Sequence, residues 1–416
     1  MINIAVTLEG GETARLAPAP VADWVTVEQL DRDPYPVYAR LREEAPVAFV
    51  PAVNVWMVTR WADVEAAAGE PELFTATAPP GASPIERTVG RPTVLTSDGP
   101  LHRDMRASID PKFRPREVDG YVEELVRPLA TRLLAEIAPA GEAELMSSYL
   151  EPVSVLSLGS VLGLADVDAD TLRRWFAGLA TGGTNYERDP AKQALADGTV
   201  REIRAELDER VERLRHHPDD SAISQMLHAA RPAGSPRTLD EIMPNLLIIL
   251  LGGMQEPGHG AGSALWALLA DAEARREVLA DPGLLEAAVD EGLRLIAPIG
   301  SQLRATTEEV ALGGAVIGPG EPVALMLSSA NRDPARFEDP DSFRLHRPRL
   351  RHGAFGFGRH FCSGHRLARQ QIRIALEVLL EELPTIELDP QRPAEFRGWE
   401  FRAPAHLHAR WSRSAG

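Results

Sequence analysis

The sequence contains a single cysteine, Cys362, among 416 residues. One cysteine cannot close an intramolecular disulfide, and without a second cysteine the usual ligand sets of a structural zinc site cannot be completed. Disulfide and structural zinc roles are therefore excluded. Three roles remain for this thiol: a small buried side chain of the core, a nucleophile, or a metal ligand.

The sequence also lacks the patterns of export and membrane insertion. Residues 1–30 have neither the basic start nor the apolar segment of a signal peptide, and no run reaches 18 apolar residues. Positive charge is scarce, with 44 Lys and Arg against 61 Asp and Glu and a net charge of −17. Nucleic acids and anionic membranes are polyanions, so neither is expected as a partner. We expect a soluble, cytoplasmic protein.

No Gly/Ser linker, low-complexity tract or internal repeat divides the chain. We expect a flexible N-terminal arm over residues 1–22 and one large domain over 23–416, although the length alone would allow two or three domains. Helical spacing dominates, with short β-rich runs near 47–59 and 310–327 and a long loop over 81–98. The predicted fold class is mainly α with small β-sheets.

Cys362 lies in the stretch Phe-Gly-Phe-Gly-Arg-His-Phe-Cys-Ser-Gly, residues 355–364. Its glycines let the backbone pass close to a bulky group and leave amide groups free to point at the sulfur. Helical spacing resumes at His365, so the thiol lies just before a helix N-terminus, where the dipole favours a thiolate. These neighbours favour a reactive or metal-binding thiolate over an inert core thiol.

Residues 355–364 resemble, position for position, the haem-binding loop F-G-x-G-x-H-x-C-x-G of the cytochrome P450 family. The resemblance implies the cytochrome P450 fold, haem b as the cofactor and Cys362 as the axial thiolate ligand of its iron. It also implies dioxygen as a substrate, with electrons from an NAD(P)H-dependent reductase or a ferredoxin docked near the Cys362 loop. The other cofactor-binding residues that it implies are Phe355 and Gly364 in the loop, and His102, Arg106, Arg304 and His360 as donors to the buried propionates.

Glu291 and Arg294 are one helical turn apart, and such a pair is usually an exposed ion pair that contributes little to stability. Its position before the Cys362 loop resembles the ion-pair motif of the family, completed by Arg347. In that interpretation the three side chains brace the haem core and take no part in the chemistry.

Pro257 interrupts the longest helical pattern of the chain, residues 239–269. Because proline lacks an N–H group, the carbonyl of Gly253 loses its partner, and the helix is expected to kink and open a polar groove. Most of the family has an acid followed by threonine in this groove, whereas this chain has Gln255 and Glu256. We expect Glu256, with Gln255, to be catalytic by handling protons near the bound dioxygen. The alternative is a solvated glutamate on a kinked helix.

Residues 33–51, 253–259 and 398–404 resemble one branch of the family, the bacterial aromatic O-demethylases that act on guaiacol-type methoxyphenols. That branch walls its pocket with phenylalanines, and this chain keeps one of them. The resemblance therefore predicts a larger pocket and a preference for syringol, with guaiacol or an alkylguaiacol next. The expected substrate-binding residues are Val89, Leu95, Gly183, Ile249, Gly252, Gly253, Ile299 and Phe401, with Val89 and Gly183 in place of the missing phenylalanines.

Two alternatives stay open at this point. A peroxygenase would take its oxygen from hydrogen peroxide, and the Gln255-Glu256 pair is compatible with that. A haem-based ligand sensor without turnover would need an output module, which the sequence does not contain.

Eight arginines and no acidic residue lie between residues 342 and 376. In a chain that is acidic overall, this predicts a cationic surface around the thiolate that suits an acidic redox partner.

Overall fold

The computed structural model describes residues 20–77, 83–232 and 234–412. Over these residues the chain is mainly α-helical with four small sheets, as predicted. The α-helices are α1 (Val27–Arg32), α2 (Tyr35–Glu44), α3 (Trp61–Gly69), α4 (Pro84–Val89), α5 (Gly99–Phe113), α6 (Pro115–Ile137), α7 (Glu151–Leu162), α8 (Ala169–Gly183), α9 (Pro190–His216), α10 (Ala222–His228), α11 (Leu239–Gly253), α12 (Glu256–Ala270), α13 (Ala272–Ala280), α14 (Leu285–Leu295), α15 (Leu327–Ala330) and α16 (His365–Glu382). The β-strands are β1 (Val47–Val50), β2 (Val55–Val58), β3 (Phe74–Thr75), β4 (Glu142–Glu144), β5 (Ser301–Thr306), β6 (Val310–Leu312), β7 (Ala315–Ile317), β8 (Pro322–Met326), β9 (Glu387–Leu388), β10 (Phe396–Arg397), β11 (Ala403–Pro404) and β12 (His408–Arg410).

The largest sheet has five strands in the order β1-β2-β8-β5-β3. The β-rich run predicted near residues 47–59 forms the antiparallel hairpin of β1 and β2, and β2 pairs in parallel with β8. Residues 1–19 of the expected arm lie outside the described residues. Val21, also assigned to the arm, forms a parallel bridge with Phe49, and Ala22 is buried. Ordered structure therefore begins at least as early as residue 20.

The segment 81–98, expected to be a loop, contains helix α4. Residues 81–82 are not among the described ones. Pro84 occupies the first turn of α4, where a missing N–H group costs nothing, and the Ser83 side chain caps the helix by accepting a hydrogen bond from the Glu86 N–H. The prediction of a loop was wrong over residues 84–89, because Pro84 and the capping residue Ser83 begin a helix there.

The predicted kink of the long helical pattern is also present. Helix α11 ends at Gly253 and α12 begins at Glu256, so two residues separate them. Helix α12 is buried along almost all of its length and packs against α7, α14 and α16. A Cβ atom on Gly258 would lie 3.0 Å from the Glu151 Cα atom, so α7 and α12 approach each other closely there.

The C-terminal segment returns to the N-terminal helices. The Gly398 N–H group donates to the Asp31 carbonyl oxygen at 2.9 Å, and Arg402 donates to the Gly398 carbonyl oxygen at 2.9 Å. Phe401 forms a bridge with Ile299, just before β5. The two ends of the described chain thus share one wall of the interior.

Among the described helices, none combines the length and apolarity needed to cross a membrane.

Candidate active site

The Cys362 loop is held by its own backbone. The Cys362 N–H group donates to the Phe355 carbonyl oxygen at 3.0 Å, and the Nδ1 atom of His365 lies 3.0 Å from the Cys362 carbonyl oxygen. Gly358 has a φ of 64°, in the left-handed region, and a Cβ atom there would lie 2.6 Å from the Ala68 carbonyl oxygen. Only glycine satisfies both the turn and the close approach.

Three side chains from distant parts of the chain fix this loop, and no local pattern in the sequence predicted them. Gln302 of β5 accepts from the Phe357 N–H group at 3.3 Å, and Trp61 packs edge-on against the Phe357 ring at 5.1 Å. Asn331 accepts from the Gly353 N–H group at 2.6 Å. The loop is therefore preorganised by the five-stranded sheet and α3.

Burial dominates the electrostatics of the Cys362 thiol. It raises the pKa of Cys362, and the Gly364 N–H group and the Arg106 charge only partly oppose it. The side chain lies directly before α16, as predicted. A cation bound at the sulfur would supply the stabilisation that a thiolate needs there.

His102 and His360 form a buried pair. Their ring centroids lie 4.4 Å apart, and the Nε2 atom of His360 lies 3.0 Å from the Asp98 carboxylate. His102 Nε2 and His360 Nδ1 are buried without a hydrogen-bond partner anywhere in the described parts of the chain. Burial, aided by the Arg304 charge, lowers the pKa of His360 to about 4. Both rings thus have unused hydrogen-bonding capacity in a site that disfavours uncompensated positive charge.

Arg304 and Arg106 complete the set of expected propionate donors. Burial lowers the pKa of Arg304 to about 10, and its guanidinium donates to the Leu303 carbonyl oxygen at 2.6 Å. Arg106 donates to the Phe361 carbonyl oxygen at 2.9 Å and to Asp110 at 2.9 Å. Arg106 is therefore largely occupied in tying α5 to the Cys362 loop, whereas Arg304 retains more donors.

A cavity of about 600 Å³ lies above this loop. Most of the expected site residues line it. They are Leu95, Arg106, Gly183, Ile249, Gly252, Gly253, Glu256, Ile299, Arg304, Phe355, His360, Cys362, Gly364 and Phe401.

Three expected residues are not in the lining. Val89 is buried in the hydrophobic core at the end of α4, which corrects its expected place in the pocket wall. Gln255 points away, because its amide donates to Glu151 at 3.3 Å. His102 contacts the site through His360.

Glu256 lines the cavity at the first position of α12. Neither of its carboxyl oxygens has a hydrogen-bond partner among the described residues. Burial raises the pKa of Glu256 to about 8, with a further contribution from the charge of Glu151. The solvated-glutamate alternative is wrong, because this carboxyl group is buried and holds a proton at neutral pH.

Behind Glu256 lies a buried polar cluster that the sequence did not reveal. Glu151 accepts from Arg173 at 2.6 Å, and its other oxygen lies 3.6 Å from His259 Nε2. Burial opposes ionisation of Glu151, but His259 and Arg173 outweigh it and lower the pKa of this carboxyl group. The signal that could have found it is a glutamate directly before a proline in an otherwise apolar helix.

A second buried acid, Glu400, faces the cavity beside Phe401. It accepts hydrogen bonds from Tyr186 at 2.8 Å and from Ser301 at 2.8 Å. Burial raises the pKa of Glu400, and these two donors only moderate the effect. This carboxyl group joins the C-terminal segment to β5 and to the residues after α8.

The predicted ion-pair motif is present and buried. Arg294 and Arg347 each approach Glu291, at 2.8 Å and 2.9 Å. Arg294 also donates to the carbonyl oxygens of Asn331, Pro340 and Ser342. The cluster ties α14 to the segment that leads into the Cys362 loop.

The expected cationic surface is largely neutralised. Seven of the eight arginines between residues 342 and 376 pair with acidic side chains, mostly from other elements. The pairs are Arg344 with Glu338 and Asp339, Arg347 with Glu291, Arg351 with Glu65, Arg359 with Glu72 and Asp98, Arg366 with Asp119, Arg369 with Asp290, and Arg373 with Glu123 and Glu377. Counting charges along the segment overstated its net positive charge.

The residues of the cavity fit a haem. A partly buried thiol just before the N-terminus of α16 offers the sulfur ligand, and the glycine-rich backbone allows a flat ring to approach. The unpartnered nitrogen of His102 and the guanidinium of Arg304 provide donors for anionic groups, and the unpartnered nitrogen of His360 becomes a donor when a bound anion compensates the charge of the protonated ring. In this arrangement Cys362 would hold the iron, and these three side chains would hold the propionates.

Comparison with known proteins gives consistent matches along the chain. Residues 190–396 match the family model for cytochrome P450. The cytochrome P450 monooxygenase PikC of Streptomyces venezuelae is 31% identical over 409 residues, which cover 95% of this chain and 96% of that protein. The steroid C26-monooxygenase of Mycolicibacterium smegmatis is 30% identical over 364 residues, 88% of this chain and 89% of that one. The ligand-free structure of cytochrome P450 TbtJ1 superposes with a TM-score of 0.82 at 29% identity and covers 92% of this chain and 99% of that one.

Proposed function

The chain belongs to the cytochrome P450 family of haem monooxygenases, and we propose that it removes the O-methyl group of lignin-derived methoxyphenols, favouring syringol. The reaction inserts one oxygen atom of dioxygen into a methyl C–H bond and reduces the other to water, using two electrons and two protons. The hemiacetal formed then collapses to a phenol and formaldehyde. Family membership alone leaves the substrate open, because the steroid C26-monooxygenase acts on a steroid.

Bound haem supplies the activation of dioxygen, using electrons from a redox partner. The chain supplies the sulfur of Cys362 and the donors for the propionates. We place the redox partner near the Cys362 loop. The arginine pairs described above make electrostatic steering toward that face weaker than the sequence suggests.

The size of the cavity is the observation that carries the substrate proposal. The same space of about 600 Å³ is bordered by the haem-binding residues and by the expected substrate-binding residues. Haem and substrate must therefore share a volume that is typical of a pocket for one drug-sized ligand. A monocyclic phenol needs less of that volume than a steroid does.

The wall of the cavity is shaped by Gly183 and Phe401. A Cβ atom on Gly183 would lie 3.5 Å from Leu251 and 3.6 Å from Ile85, which is ordinary van der Waals contact. Gly183 and Phe401 both line the cavity, and the Phe401 ring packs edge-on against Phe176 at 6.2 Å. In this proposal, a second ortho methoxy group occupies the space next to Gly183, where it gains apolar contacts.

Glu256 is the proton donor of the cavity in this proposal. Its pKa of about 8 keeps the carboxyl group protonated at neutral pH, which is the state a general acid requires. Gln255 faces Glu151 instead of the cavity, so its role is to position the neighbouring polar groups.

The test is a panel of guaiacol, alkylguaiacols and syringol, scored for haem spin-state change and for formaldehyde release. Each substrate is run with a ferredoxin and reductase and separately with hydrogen peroxide, which distinguishes monooxygenase from peroxygenase turnover. We expect syringol to bind most tightly and to release formaldehyde fastest. Faster demethylation and tighter binding of guaiacol than of syringol by the unmodified enzyme would overturn the proposal.

Two substitutions at one position sharpen this test. Gly183→Phe should fill the wall and move the preference toward guaiacol, because the second methoxy group loses its space. Gly183→Ala adds only a Cβ atom in ordinary contact and should leave the preference unchanged. Equal selectivity in all three proteins would show that Gly183 does not border the substrate.

A further inference from the structure

Two buried carboxyl groups lie on facing helices close to the cavity. Glu256 begins α12, and Glu151 begins α7 directly after a π-helical turn, Met146–Leu150. The close approach of the helices at Gly258 brings Glu151 against the first turn of α12. A π-helical turn at this place is of interest because such turns occur frequently at functional sites.

Glu151 connects this interior to the protein surface. On one side it is bound by Arg173 of α8, whose side chain is 28% exposed. On the other side it meets Gln255 at 3.3 Å and His259 at 3.6 Å. His259 is three residues after Glu256 and therefore lies on the same face of α12. Glu151 thus connects Arg173, which reaches solvent, to two polar side chains beside the first turn of α12.

The two acids differ in protonation in a way that suits transfer. Glu256 is protonated at neutral pH because burial dominates its pKa, whereas His259 and Arg173 favour the ionised form of Glu151. Paired titratable groups whose environments separate their pKa values are typical of acid and base assignments. His259 Nδ1 is buried with no partner in the described ranges, so the second ring nitrogen is free to exchange a proton.

Other charged groups on the helices packed against α12 are bound elsewhere. On α14, Glu291 and Arg294 pair with each other. On α16, Arg369 pairs with Asp290 and Arg373 with Glu123. Glu151, with its partners Arg173 and His259, is therefore the charged cluster that faces Glu256.

We propose that Glu151 and His259 resupply the proton of Glu256 from solvent, and that Arg173 holds Glu151 in place for this transfer. When Glu256 gives up its proton in the cavity, a proton from water enters at the Arg173 side and passes through Glu151 and His259 to the empty carboxylate. One proton leaves and one enters, so the cluster returns to its starting state. Glu151, His259 and Arg173 are positioning and relay residues. The inference rests on the proposed role of Glu256.

The test follows the Glu256 proton directly and uses no substrate. The carboxyl stretching band of Glu256 is isolated by subtracting the infrared spectrum of Glu256→Gln holoenzyme, and its shift after transfer into D2O gives the exchange rate. We expect Glu151→Gln and His259→Phe to slow this exchange about tenfold or more, since each removes one relay group. The pH midpoint of the band should also fall in Glu151→Gln, because the charge that helps to keep Glu256 protonated is gone.

Asp170→Asn is the matched control. Asp170 also approaches Arg173, at 3.8 Å, but its side chain is 91% exposed and does not reach the interior. This variant should exchange at the rate of the unmodified enzyme. If Glu151→Gln does not fold, His259→Phe alone decides the question.

The relay is overturned if the Glu256 proton exchanges in Glu151→Gln and His259→Phe at least as fast as in the unmodified enzyme. Because no methoxyphenol is present, this result leaves the substrate proposal untouched. Conversely, failure to demethylate methoxyphenols would leave the relay untouched.

Discussion

The imidazole rings of His102 and His360 lie 4.4 Å apart, and each has one buried nitrogen that finds no partner within the described residues. They come from α5 and from the Cys362 loop, which are more than 250 positions apart in the sequence. Two neighbouring buried rings that each keep an unpartnered nitrogen are an incomplete arrangement, even with Asp98 beside His360. The propionates of a bound haem would complete it.

Replacing either histidine should therefore weaken haem retention. A hydrogen bond to a charged group contributes about 1.5–3 kcal/mol, so His102→Ala and His360→Ala should each release haem roughly ten to a hundred times faster. Haem transfer to an excess of apomyoglobin measures this rate. His346→Ala, which removes an exposed partner of Glu277, serves as the control and should release haem at the unmodified rate.

Cys362 should determine the spectrum of the carbon monoxide complex. Thiolate ligation gives the ferrous complex a red-shifted Soret band, because the sulfur donates electron density to the iron. Cys362→His should lose that shift and show the band of a histidine-ligated haem. Ser363→Ala changes the adjacent residue without removing a ligand and should keep the shift. A red-shifted band in Cys362→His would show that another residue binds the iron.

Glu256 should make the protein less stable as the pH rises. Its pKa is about 8 in the folded chain against an ordinary 4.5, because burial disfavours the charged form. The folded state thus holds this proton over a range in which the unfolded state has lost it. The free energy of unfolding is highest below pH 4.5 and falls as the pH rises toward 8. At pH 7 it is lower by on the order of 3 kcal/mol.

Glu256→Gln should remove this loss. Urea titrations measure the free energy of unfolding of Glu256→Gln and of the unmodified protein at pH 5 and pH 8. The two values should be similar at pH 5, and the value for Glu256→Gln should be the higher one at pH 8. Glu44→Gln, at an exposed position, should follow the unmodified protein at both. A Glu256→Gln protein with the same pH dependence as the unmodified one would mean that this carboxyl group is solvated.

The Glu291 cluster should be costly to break. Removing the acid leaves Arg294, which is 2% exposed, without its counter-charge, and an uncompensated buried charge costs about 3–5 kcal/mol. Glu291→Gln should lower the free energy of unfolding by that amount. Glu136→Gln, which breaks the exposed pair with Arg132, should change it by less than about 1 kcal/mol.

The sequence predicted the parts of the site that are local in the chain. The glycines and the helix start around Cys362, and the proline that separates α11 from α12, act through their immediate neighbours, so a short stretch was sufficient to predict them. The fold class followed from helical spacing in the same way.

The parts that failed depend on partners far away in the sequence. Glu151 meets Gln255 and His259 only after α7 and α12 pack together. Arg366 and Arg369 are neutralised by Asp119 and Asp290, which no charge count over residues 342–376 includes. Val89 was placed in the wall by resemblance, but the packing of α4 turns it into the core. The spacing of residues along a chain does not show which distant residue will pack against a given side chain.

The hydrogen bond from Gly398 to Asp31 affects the order in which parts of the protein can fold during synthesis. Residue 31 leaves the ribosome long before residues 398–402 do. Phe401 and Glu400, which border the cavity, are in the late segment, so no nascent chain that ends before it has a closed pocket. The helices that hold the thiol can pack before residues 398–402 have emerged, whereas the substrate chamber closes only after these residues are available. A ribosome-stalled chain ending before residue 398 would therefore expose the chamber from that side.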